Sequence, residues 1–122
     1  MKRILLFLIG MLAAVNMQAD VYTDSYGIQY TYNPSNVEAG ATLTDGTSVT
    51  VQKVDIIASF TVDNNEYKVK SVGASAFLDN TSIVQVTIPD GVESIGASAF
   101  QGCNQIKMMT LPKTLGDNGG TI

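Results

Sequence analysis

Histidine is missing from the 122 residues altogether, and with it go imidazole metal sites and every Ser-His or Cys-His dyad. A single cysteine, Cys103, cannot close a disulfide within the chain, so folding has to rest on packed apolar side chains. Basic residues are scarce. Seven Lys and Arg stand against eleven Asp and Glu without a basic run, and such a surface repels phosphate backbones, which argues against nucleic acid as a partner. There is no glycine-rich phosphate loop, no metal-ligand spacing and no nucleophile beside a base. The sequence therefore predicts a protein with no catalysis, no cofactor and no metal.

What is present begins with a leader. Lys2 and Arg3 supply a positive start, Ile4 to Val15 an apolar run, and Met17-Gln18-Ala19 a small residue at which to cut. The run is shorter than the roughly 20 residues that a membrane-spanning helix needs, so residues 1–19 read as a cleaved secretion signal rather than an anchor. Removing Lys2 and Arg3 leaves five basic residues against eleven acidic ones, a net charge of −6. Residues 20–122 suffice for one small domain.

The strongest signal is a repeat. "SVGASAF" at 71–77 returns as "SIGASAF" at 94–100, and the same offset of 23 links Ile83 to Ile106 and Pro89 to Pro112. Laid over each other, Val69–Gly91 and Val92–Thr114 share ten identical residues in 23 columns without a gap. Within each unit the alternation Val86-x-Ile88 and Met109-x-Leu111 points those side chains inward, and Gln85, Thr87, Met108 and Thr110 outward. Pro89 and Pro112 stop the two stretches. Ala-Ser-Ala-Phe is one helical turn at most. A unit this small cannot bury its apolar face alone, so units must stack, with Phe77 above Phe100 and Asn80 in one column with Cys103. That column favours a packed thiol over a reactive one.

"VKSVGASAFLDNTSIVQVTIP" and "VESIGASAFQGCNQIKMMTLP" resemble the BspA-like class of leucine-rich repeats, with a pattern near L-x-x-I-x-I-P-x-x-V-x-x-I-G-x-x-A-F-x-x-C. Asn80 in the cysteine column and Met109 in a branched-aliphatic column are the departures. The resemblance implies a mainly β, short solenoid of 23-residue leucine-rich repeats preceded by a β-hairpin N-terminal cap region. Its domain reading is a leader at 1–19, a β-rich capping region at 20–68, and repeats at 69–122, namely 69–91, 92–114 and a truncated third from Leu115. It further implies a secreted or cell-surface protein that acts as a protein-binding or adhesion module toward a host, extracellular-matrix or cell-surface protein. Val84, Gln85, Thr87, Lys107, Met108 and Thr110 would form the exposed binding row. A small carbohydrate-binding module and a remnant of a longer surface protein are the alternatives.

Ahead of the repeats, Tyr26–Tyr32 alternates like a strand, Val49–Val51 and Ile56-Ile57 are further strand candidates, and Thr44–Thr47 reads as a turn. Asp63–Glu66 reads as a turn between Phe60–Val62 and Tyr67–Val69, a hairpin placed to cap the solenoid's first edge; it lacks the spacing of a calcium loop. Asp90 and Glu93 suit a solvated edge better than a catalytic pair, and Asn80-Thr81-Ser82 spells a glycosylation sequon. After Leu115 the repeat pattern fails without a cap. Met109, Leu111 and Phe100 are accordingly expected to stay partly exposed, on an edge open to self-association.

Overall fold

The computed structural model describes residues 19–117. The expected leader, apart from Ala19, and the tail from Asn118 lie outside the described residues. Nine strands follow in order: β1 (Asp20–Thr23), β2 (Gln29–Tyr32), β3 (Ala41–Asp45), β4 (Lys53–Asp55), β5 (Ser59–Val62), β6 (Asn65–Val72), β7 (Gln85–Thr87), β8 (Ser94–Ile95) and β9 (Met108–Thr110). A short helix, α1 (Lys113–Asp117), ends the described chain.

Two parallel ladders carry the solenoid. In one, Leu43 of β3, Val72 of β6 and Ile95 of β8 stand in register. In the other, Val54 of β4, Val86 of β7 and Met109 of β9 do so. Between the ladders lies one apolar core that includes Leu43, Val54, Ile56, Val72, Phe77, Ile83, Val86, Ile88, Val92 and Ile95. The Ala-Ser-Ala-Phe corners join neighbouring coils as well, through Gly46 N–H to the Ala76 carbonyl (2.6 Å) and Phe77 N–H to the Ala99 carbonyl (2.7 Å). These corners are not helical. Ser75 and Ser98 adopt left-handed φ of 59° and 61°, which breaks any helical turn. Phe77 does stack on Phe100, with ring centroids 5.0 Å apart and planes 8° from parallel.

The ladders reach one coil further toward the N-terminus than the 23-residue repeat indicates, because β3 and β4 occupy the same columns as β6 and β7. Val49–Val51 and Ile56-Ile57 are not strands. The strand is Lys53–Asp55 between them, while Val49 and Ile56 enter the core from irregular backbone. The hairpin β5–β6 forms as expected. Asp63 and Asn64 take φ of 52° and 67°, the left-handed pair that a tight two-residue turn demands of its central positions.

That hairpin does not cover the first edge of the solenoid. Antiparallel β2, backed by β1, lies against β3 and does so instead. The reason is that β6 serves two partners: Asn65–Lys68 pairs with β5, and the remainder with β3 and β8. The sheet carrying these strands curls until its two outer strands meet, with Tyr22 of β1 stacked on Phe60 of β5 at 4.2 Å. Tyr30, Tyr32 and Tyr67 complete this aromatic cluster. At the far end, Leu115 of α1 joins the core and the Thr114 hydroxyl donates to the Val92 carbonyl (2.7 Å), so the chain closes part of the end expected to stay bare.

Candidate functional site

The short sheet β4–β7–β9 places every second side chain on its outer face. Register fixes two rows across the three strands. Lys53, Gln85 and Met108 form one, and Asp55, Thr87 and Thr110 the other. Gln85 and Thr87 on the central strand are half-buried, whereas Lys53, Asp55, Met108 and Thr110 are exposed, Met108 at 56%. Val84 and Lys107 sit one residue ahead of their strands and are joined by Lys107 N–H to the Val84 carbonyl (2.8 Å). The six residues singled out from the sequence thus lie together along this sheet.

Lys53 and Asp55 were not among them. Their signal was legible in the tetrapeptide Lys53-Val54-Asp55-Ile56, which has the same polar-apolar-polar-apolar form as Gln85-Val86-Thr87-Ile88. Together they put one cation and one anion side by side at one end of an otherwise neutral face, with Lys107 as a second cation near the other end. The face is mostly polar, with Met108 its most exposed apolar side chain. Such a surface suits contact with another surface and offers no enclosure for a reacting group.

Cys103, Asn80 and Asp90, also singled out in the sequence, have partners within the fold. Among the described residues no group of three or more His, Cys, Asp or Glu stands close enough to hold a metal. Cys103 is half-buried, and its thiol donates to the Phe77 carbonyl of the preceding coil at 2.9 Å. Burial pushes the thiol pKa up, the Asp79 charge adds to this, and a backbone hydrogen bond from Asn80 partly offsets it. In the same column Asn80 donates to the Gly46 and Val49 carbonyls, 3.1 and 2.9 Å away, and accepts from the Ser82 and Ile83 amides. With its amide nitrogen so engaged and only 4% of the residue exposed, the sequon at Asn80 is closed to a glycan in the folded chain. Asp90 also has a structural task, accepting from the Lys113 amide at 2.8 Å.

Comparison with known proteins places this architecture. The profile of the BspA type leucine rich repeat region (6 copies) matches residues 29–120, which includes the coil built on β3 and β4. Among solved structures, a leucine-rich repeat protein from Bacteroides capillosus is 32% identical with a TM-score of 0.64, over 75% of this chain and 65% of that one. A leucine rich cell surface protein from Faecalibacterium prausnitzii is 29% identical with a TM-score of 0.63, over 83% of this chain and 24% of that one. The leucine-rich repeat protein of T. pallidum is 28% identical with a TM-score of 0.62, over 76% of this chain and 40% of that one. The chain therefore spans less than two thirds of each of these relatives. No curated protein matches it. With 23-residue coils stacked in two parallel ladders and the family profile running over most of its length, the chain belongs to the BspA-type leucine-rich repeat family.

Proposed function

We propose that the protein is an exported binding module whose outer β4–β7–β9 face adheres to a protein surface. The observation that carries this reading is the pair of in-register rows, Lys53-Gln85-Met108 and Asp55-Thr87-Thr110, a regularly spaced array of donors, acceptors and one flexible thioether. Export rests on the leader, with cleavage after Ala19 leaving β1 intact, since that strand begins at Asp20. The F. prausnitzii relative, a cell surface protein, supports the same address. Among the described residues no helix is long and apolar enough to cross a membrane. A three-strand face is small against the ~800 Å² per partner of a standard interface, so each contact is weak and useful adhesion depends on several acting together.

The test is binding of the chain to a panel of immobilised extracellular-matrix proteins, with a glycan array beside it. Gln85→Arg with Thr87→Arg changes the centre of the face without touching the core. Loss of a matrix-protein signal in this variant supports the reading. A signal that survives moves the site off this face, and one confined to the glycans replaces a protein ligand with a carbohydrate.

A further inference from the structure

β9 is the outermost strand of its sheet among the described residues. In the parallel ladder the Met108 amide donates to Val84 and the Thr110 carbonyl accepts from Ile88, so both residues turn their backbone groups toward β7. Alternation then leaves the N–H and C=O of Met109, between them, directed away from the sheet. Among the described residues nothing stands on that edge. On the inner side Met109 and Ile106 are half-buried and Leu111 is 45% exposed, although Val86, Ile83 and Ile88, their column partners one coil earlier, are almost completely covered. Among the described residues the apolar columns thus stop at β9 uncovered.

We propose that a second copy of this chain covers this edge, with β9 pairing antiparallel to its own copy about a two-fold axis through Met109. In that register each Met109 exchanges both backbone hydrogen bonds with its counterpart, the close arrangement of an antiparallel pair. Met108 faces the other copy's Thr110 on the outer side, twice across the two-fold. The charges agree with this arrangement. The two copies of Lys107 fall four residues apart along the strand, about 13 Å, beyond the ~8 Å over which salt leaves exposed charges in contact. A head-to-tail alternative is blocked at the other end, where β2 and β1 cover β3 and the Tyr26 hydroxyl accepts from the outward-pointing Asp55 amide of β4 at 3.4 Å. The two-fold axis stands perpendicular to the sheet, so both outer faces look the same way. Two three-strand faces become one of six strands, β4–β7–β9–β9–β7–β4. This pairing stands independently of what the face binds.

Register makes the proposal testable with two exposed positions. Met108→Lys with Thr110→Lys sets like charges opposite each other twice across the two-fold. Met108→Lys with Thr110→Glu instead sets opposite charges there, in the same chain positions. Sedimentation velocity and native mass spectrometry of the full chain and both variants over a wide concentration range give the answer, any contribution of the leader being common to all three. The expected result is a monomer–dimer equilibrium in the parent with nothing beyond two copies, a dimer weakened roughly tenfold or more by the Lys/Lys pair, and recovery by the Lys/Glu pair. A parent monomeric at every concentration, an open series of larger species, or two variants that behave alike would each overturn it.

Discussion

Asn80 uses both ends of its amide inside the protein: its nitrogen ties two carbonyls of the preceding coil and its oxygen holds two amides of its own. Replacement by alanine strands the Val49 carbonyl in a buried site, while the Gly46 carbonyl keeps the Val49 N–H, and should cost about 1–3 kcal/mol in urea unfolding. Cysteine, the residue that occupies this column one coil later, should cost less. Cys103 and Tyr30 give the pH dependence. Tyr30 is fully buried and donates to Asp24 at 2.9 Å; burial first, then the Asp24 charge and hydrogen bond, hold its pKa well above the ordinary tyrosine range. For both groups the folded pKa lies above the unfolded one, so the unfolded chain releases its proton first as pH rises. Their contribution to stability is intact below about 8.5 for the thiol and about 10 for the phenol, and is lost as pH climbs from those values toward the folded ones. Ultraviolet titration should therefore show Tyr30 failing to ionise until the chain unfolds, and Cys103 should react with iodoacetamide more slowly in the native protein than in denaturant.

At the scale of elements, the first coil shows why a fixed period misses what a ladder reveals. Leu43 and Val54 are eleven residues apart, whereas Val72 and Val86, like Ile95 and Met109, are fourteen apart. On the return, eighteen residues separate Val54 from Val72, against nine between Val86 and Ile95, because the β5–β6 hairpin is inserted there. A corner shortened by three and a return lengthened by nine destroy the 23-residue offset while leaving every inward residue in its column. Coils two and three, the Phe77–Phe100 stack and the outer residues of β7 and β9 were legible because no length change falls between them. The phenylalanine column itself is altered in coil one: Gly46 occupies the place beneath Phe77, and a Cβ there would run into the Phe77 ring. Gly46→Ala should cost about 1–3 kcal/mol, the range for overpacking a core, although alanine is otherwise a mild replacement. Phe77→Leu should likewise cost more than Phe100→Leu, since Phe77 is wholly buried and Phe100 only half so. Thermal unfolding of the variants measures both differences.

Over the whole molecule, order is graded along the solenoid axis. Among the described residues one end is held by five aromatic rings and by strands that curl onto themselves, the other by a short helix and one leucine. Repeat proteins of this kind gain stability from each coil's contacts with its neighbours, so the coil with one neighbour opens first. Hydrogen exchange should accordingly be slowest at Tyr30, Val69 and Val72 and fastest among the strand amides of β9. The sequence anticipated a weak end at Met109 and Leu111, and 45% exposure of Leu111 agrees with that. It did not show the aromatic cluster as the strong end, because Tyr22 and Phe60 are brought together only by the curl of a sheet whose strand order sets them at opposite margins.

The hairpin inserted in the first coil shows where this architecture can accept new length. Its tip, Asp63-Asn64, is solvent-exposed and takes part in neither ladder, and β6 returns to the solenoid in register after it. Foreign peptides grafted between Asp63 and Asn64 would be displayed away from the core and remote in sequence from the β9 edge. The same tolerance gives a lineage of such proteins room to diversify: segments can be gained or lost at the return of a coil while the buried columns keep their alignment.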